Sequence, residues 1–150
     1  MNIYRIVASK WANSLLNASG RPARWNSKGV EVVYFAESRS LACLENIVHR
    51  AGSDLSLAEF SLVSVKATDN IKEIRVKDLP EGWNGIDEKA YMICRPFGDK
   101  WIRSNSSLLL KVPSVIAPGE YNYLVNAKHP EVKRLKIIEI LPFKFDSRVV

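Results

Sequence analysis

The stretch RPARWNSKGVEVVYFAESRSLACLENIVH, residues 21–49, decides the fold, because it passes from loop to strand to helix without a linker. Pro22, Asn26, Ser27 and Gly29 mark the loop. VEVVYF, residues 30–35, is rich in β-branched and aromatic side chains and reads as a strand. Ser38 is placed to cap a helix running to about Ala51, with Gly52 ending it. Leu41, Leu44, Ile47, Val48 and Ala51 make one apolar stripe on that helix, and Arg39, Asn46 and Arg50 fall on the opposite face. Glu45 belongs to neither group. At ~100° per residue it lies ~40° beyond Leu41, on the margin of the stripe.

A carboxylate at that margin must be paired, hydrated or neutralised, since desolvating an unpaired charge is expensive. Two readings fit Glu45: a boundary residue pairing with His49 one turn later, or a group at the lip of a pocket facing a polar ligand. The preceding loop is equally two-sided. Arg21, Arg24 and Trp25 lie within five residues, either as solvated arginines around a buried tryptophan or as donors to a phosphate. The GxxxxGK[ST] spacing of a P-loop is absent.

Upstream, IYRIV (3–7) reads as a short strand that carries Arg5, either as an exposed edge charge or as a guanidinium aimed into a cleft. A helix or turn follows around Trp11–Leu16. Downstream, AEFSLVSVKA (58–67) and NIKEIRVKDL (70–79) alternate enough to be two strands of a hairpin or meander. IDEKAYMIC reads as a short helix stopping before Pro96, and GDKWIRSNSS as irregular chain. SLLLKVPSVIAP is a strand ending near Pro113, aromatics resume over residues 119–130, and LKIIEI (135–140) is a late strand. Strands outnumber helices and do not alternate with them, which predicts one α+β domain over residues 1–150 with a compact, mixed or antiparallel sheet.

Composition narrows the function. With 47% hydrophobic and 25% charged residues, the chain is an ordinary globular one, large enough for a sizeable core. No apolar run reaches the ~20 residues of a membrane span. The start, MNIYRIVASKW, lacks a signal-peptide pattern, so the expected location is cytoplasmic. Cys43 and Cys94 lie among apolar neighbours and read as reduced, packed thiols. The net charge of +6 invites a nucleic-acid or ribonuclease reading. Its basic residues are scattered, however, and form no stripe with interleaved aromatics. GxGxxG, HExxH and CxxC are all absent.

Six segments taken in order carry a resemblance: YR at 4–5, GRPARW, VVYFAESRSLACLE, GDKWIRSNSSLLLKVPSV, NYLVNAKHP and the terminal FKFD. Together they resemble the RES-domain toxins of bacterial RES–Xre toxin–antitoxin pairs, a family named for an arginine, a glutamate and a serine. The resemblance implies a fold similar to the ADP-ribosyltransferases and an enzyme that degrades NAD at the nicotinamide–ribose bond, with water or phosphate as acceptor. It implies NAD as substrate, no cofactor and no metal. It also implies an Xre-like antitoxin with a helix-turn-helix part, contact with DNA only through that antitoxin, and a homodimer within a larger complex.

Carried over by position, the catalytic residues are Glu45, Arg24 and Ser114, with Ser104, Ser106 and Ser107 near enough to compete for the serine's role. The substrate-binding residues are Arg5, Tyr34, Asn126 and His129, the last two standing where family members commonly read NPxHP; here Ala127 replaces that proline. On this reading Glu45 steadies an oxocarbenium-like ribose, the arginines hold the diphosphate, Tyr34 orients nicotinamide or ribose, and Ser114 gives a hydrogen bond. The same pocket would serve an ADP-ribosyltransferase acting on a macromolecule.

Overall fold

The computed structural model describes residues 1–55 and 58–150. Seven strands form one sheet: β1 (Asn2–Ala8), β2 (Val32–Ala36), β3 (Phe60–Lys66), β4 (Ile71–Glu73), β5 (Leu109–Pro113), β6 (Tyr121–Asn126) and β7 (Lys136–Phe143). Their order is β4-β5-β6-β2-β1-β3-β7, with β4–β5 parallel and every other pairing antiparallel. Two helices, α1 (Arg39–His49) and α2 (Glu88–Ser104), complete the expected α+β architecture. The Trp11 region forms a 3-10 helix over Ser9–Ser14.

The sheet is really two blades. β1 and β3 pair from Asn2 to Ala8, and β2 and β6 from Val32 to Ala36. Between the blades, β1 and β2 share only the Tyr4–Ala36 pairing. The blades must also curl toward each other. Lys66 and Ile71 end and begin strands five positions apart in the sheet, ~24 Å if it were flat. Five residues of extended chain span at most ~18 Å. The expected hairpin between residues 58–67 and 70–79 is therefore replaced by a crossover: β3 lies beside β1 and β7, while β4 sits at the far edge against β5.

Side-chain alternation fills three apolar layers. Ile3, Val63 and Val65 from one blade meet Val33, Phe35, Leu109 and Val125 from the other between the curled faces. Ile6, Phe60 and Leu62 face outward against Leu41 and Ala42 of α1. Val32, Leu110, Val112 and Leu124 face the other way, onto Trp25, Trp83 and the Cys94 and Trp101 side chains of α2. β3 is buried on both faces, with Ser61 and Ser64 set among its apolar residues. Each blade thus carries one helix, and the weak β1–β2 joint lies between them.

The helix ends follow local chemistry. Ser38 is extended and its Oγ accepts the Leu41 amide at 3.0 Å, while Gly52 takes φ +87° beyond the last turn. Asp87 accepts the Ala90 amide at 3.1 Å to start α2. That helix does not stop before Pro96 but continues through it to Ser104, where Asn105 closes it at φ +49°. Pro96 and Met92, whose carbonyl loses its helical donor, both lie on the exposed face, where water can take over. Buried Cys94, Gly98 and Trp101 meanwhile repay continuation, and residues 98–104 are helix instead of irregular chain.

α1 is rotated relative to the expected stripe. Leu41 and Ala42 are buried, but Leu44 and Val48 are 42% and 50% exposed. Asn46, expected to face outward, instead donates to the Ile6 carbonyl of β1 at 3.1 Å. Arg50 bonds back to Asn46 at 3.0 Å and lies over the Phe60 ring. The inward face of α1 is apolar at Leu41, Ala42 and Ile47 and turns polar at Glu45, Asn46 and Arg50, where it borders a cleft.

Candidate active site

A cleft of about 600 Å³ opens over the β1–β2 joint. Its walls are Tyr4 and Arg5 of β1, Tyr34 and Ala36 of β2, Glu45, Asn46, His49 and Arg50 of α1, Arg24 and Trp25 of the preceding loop, Tyr91 of α2, and Asn122 of β6. Side chains from six parts of the chain converge there because the strands diverge at the joint and leave polar edges uncovered.

Glu45 reaches into this space from α1. Its Oε1 accepts from Asn122 Nδ2 at 2.6 Å and its Oε2 stands 3.2 Å from His49 Nε2. Glu45 thus contacts His49 one turn along the helix and also faces the cleft. Its side chain keeps 21% of its surface exposed.

Arg5 lines the cleft from β1 and donates to the Leu15 carbonyl at 3.3 Å. Burial, with Arg50 adding like-charge repulsion, lowers its pKa to about 10. Arg5 and Arg24 donate to main-chain carbonyls, and Arg50 donates to the Asn46 side-chain oxygen. Three guanidiniums beside one cleft make it attractive to anions.

Arg24 is differently employed. Nη1 donates to the Trp83 carbonyl at 2.7 Å and Nη2 to the Gly85 carbonyl at 2.8 Å, with the guanidinium 4.6 Å from the Tyr91 ring centroid. Its fork clamps the 83–85 loop while one face borders the cleft. Cys94, whose thiol pKa is raised by burial and partly offset by Arg24, donates to the same Trp83 carbonyl at 3.3 Å. Arg21 is exposed and does not line the cleft.

Tyr34 turns its ring to the cleft and its hydroxyl inward, donating to Asn26 Oδ1 at 2.6 Å. Burial is the main reason its phenol pKa is raised well above the usual tyrosine range.

The remaining expected residues lie elsewhere. Ser114 is buried, and its Oγ accepts the Ala117 amide at 3.1 Å to cap a turn; its neighbours Pro113 and Val115 line the cleft, but Ser114 does not. Ser104 and Ser106 bond to each other, and Ser107 accepts from the Trp101 indole at 2.8 Å. Asn126 and His129 are buried at the other end of β6 from Asn122, four residues or ~13 Å of strand away. Asn126 donates to Asn105 Oδ1 at 2.9 Å, stapling the β6 exit to the end of α2. His129 Nδ1 accepts the Glu131 amide at 3.1 Å. The structure does not bring these residues to the cleft wall.

Sequence reasoning missed Asn122, Asn46, Arg50 and Tyr91. Only Arg50 and Asn46 carried a local signal, their polarity on α1, and it pointed outward. Among the described residues no group of three metal-ligating side chains assembles, and no helix is long and apolar enough to cross a membrane.

Comparison with known proteins places this geometry in a family. The Prs ADP-ribosylating toxin of Sphingobium is 39% identical over 131 residues, covering 85% of this chain and 80% of the relative. A protein named Toxin Res from Yersinia enterocolitica is 36% identical and covers 99% of both chains. In fold, the chain is similar to one in the crystal structure of the M. tuberculosis MbcT–MbcA toxin–antitoxin complex, with a TM-score of 0.69, 15% identity, and coverage of 95% of this chain and 83% of that one. Residues 2–146 match the RES domain, and the chain belongs to that family.

Proposed function

We propose that this chain is a toxin enzyme that consumes NAD at the nicotinamide–ribose bond. The observation that carries the reading is the placement of Glu45 and Arg5 on one cleft, a carboxylate and a partly desolvated guanidinium from different elements. A volume of about 600 Å³ falls within the range of small-molecule sites. In the reaction the bond from ribose C1′ to the pyridinium nitrogen breaks, and its electron pair leaves with nicotinamide, which becomes neutral. Positive charge builds on the ribose, as in glycoside hydrolysis, and the Glu45 carboxylate steadies it electrostatically. Water or phosphate then adds to C1′, and water gives up its proton to solvent.

Arg5 and Arg50 meet the phosphates, with Arg24 alongside holding the cleft wall in shape, and the Tyr34 ring offers an apolar, stackable surface. Ser114 acts on this reading through the turn it caps beside Pro113 and Val115. The test is release of free nicotinamide from NAD by purified protein, with and without phosphate. Glu45→Ala should abolish most of it while the circular dichroism spectrum is retained; a fully active Glu45→Ala protein would refute the role of Glu45.

Transfer of ADP-ribose to a macromolecule is the second reading, favoured by the name of the Sphingobium relative. Covalent attachment of label from labelled NAD to a second molecule separates it from hydrolysis. Neutralisation by an antitoxin is supported by the toxin–antitoxin complex that shares the fold, and a helix-turn-helix part on that antitoxin and a cytoplasmic setting belong to the same proposal. Co-purification of the neighbouring gene's product checks it.

A further inference from the structure

We propose that Asn122 is the positioning residue for Glu45, and that the pair acts as one unit in the reaction proposed above, on which this inference rests. Asn122 lies on β6, paired with Ala36 of β2, which is itself paired with Tyr4 of β1. The three residues occupy one row across the joint and line the same cleft. Ala36, buried and ending in a methyl group, leaves the space through which the Asn122 amide reaches α1. The result is a hydrogen bond of 2.6 Å between groups 77 residues apart in sequence.

The chemistry fixes the direction of that bond. An ionised carboxylate only accepts, so the amide must present its NH₂ and not its oxygen. Glutamate on an exposed helix face has several rotamers of similar energy, and one donor from the opposite blade selects among them. The other contact, His49, is on the same helix and its side chain is 66% exposed, so it ties Glu45 to nothing across the cleft. Asparagine also suits the task electrically. An arginine or lysine at position 122 would cancel the charge that must face a cationic ribose, whereas a neutral amide orients the carboxylate and leaves its charge intact.

Two substitutions test this. Asn122→Ala removes the donor, and kcat for nicotinamide release should fall about 10- to 100-fold with KM little changed, the scale of a misplaced catalytic group. Asn122→Asp puts a like charge beside Glu45, so the acid limb of the kcat–pH profile should move up by about one unit or more. A role in folding alone would lower activity equally at every pH and leave the limb in place, and that result overturns the proposal. The carbon-13 NMR signal of the Glu45 carboxyl gives a readout independent of turnover. Its chemical shift should change in Asn122→Ala with loss of the bond, and an unchanged signal overturns the pairing. Wild-type protein that releases no nicotinamide, while Asn122→Ala still moves the signal, would instead sink the NAD reading and keep the pair.

Discussion

Tyr34 donates its hydroxyl to Asn26 at 2.6 Å, away from the cleft that its ring lines. Asn26 is buried and also donates to the carbonyls of Arg21 at 2.9 Å and Val30 at 3.1 Å. One amide therefore closes the 21–30 loop and sets the angle of the tyrosine ring. Removing the hydroxyl should disturb folding more than chemistry. Tyr34→Phe should lose about 1–2 kcal/mol in urea denaturation, the cost of an unsatisfied buried acceptor. The same variant should keep nicotinamide release within a few-fold. A hundred-fold loss in a stable Tyr34→Phe protein would show that the hydroxyl touches substrate.

Arg24 spends its fork on two main-chain carbonyls and its face on Tyr91. Lysine cannot reproduce that planar, two-pronged geometry. Arg24→Lys should therefore cost about 1.5–3 kcal/mol of stability, the range for hydrogen bonds to a charged group. Its KM for NAD should rise through displacement of the 83–85 loop, with the positive charge retained. Denaturation and steady-state kinetics on the same preparation separate these effects from a direct phosphate contact, which would spare stability.

Much of this was legible along residues 21–49, where the signals are local. Ser38 capped the helix as its side chain predicted, and the strand after the loop was read within two residues of its bounds. Glu45 was legible only as an anomaly, since helical phase shows that a residue is out of place and not what it faces. The rotation of α1 differs from the expected one because amphipathic logic assumes a dry inner face, and here Asn46, half-exposed Val48 and Arg50 line the cleft while Leu44 faces away from it. Pro96 misled for the opposite reason: a local breaker was overruled by the burial of Cys94 and Trp101 around it. Asn122 and the β3–β4 crossover left no local trace, because both are set by strands that meet only after the sheet curls.

Arg5 supplies a pH dependence with a defined sign. Its guanidinium is partly desolvated beside Arg50, and its pKa is lowered from the usual arginine range to about 10. An anionic ligand needs the charged form. Binding of ADP-ribose, measured by calorimetry, should be flat from pH 7 to about 9 and weaken as pH rises through about 10. Tyr34 cannot supply that limb, since its own pKa is pushed upward and it stays protonated there. Arg5→Gln should bind weakly at every pH and lose the limb. For stability the sign is the reverse: the unfolded chain holds the Arg5 proton more tightly, so the penalty that burying its charge puts on folding is relieved as pH rises above about 10.

Gly98 ties the second helix to the cleft. A Cβ placed on it would stand 1.7 Å from the Trp25 carbonyl oxygen and 2.8 Å from the Trp25 carbonyl carbon, both main-chain atoms that cannot swing aside. α2 packs this closely because Asp99, the next residue, accepts the Ser27 amide at 2.9 Å and the Ser27 hydroxyl at 2.5 Å, drawing the loop onto the helix. Gly98→Ala must push α2 and the 24–27 segment apart, and Arg24 moves with Trp25. Helix propensity alone would favour alanine by about 1 kcal/mol, so the two effects oppose each other with different signs. Overpacking against rigid backbone should win, giving a net loss of about 2 kcal/mol or more in denaturation and a raised KM for NAD. A Gly98→Ala protein as stable as the wild type would mean that α2 and the loop are not held at this distance.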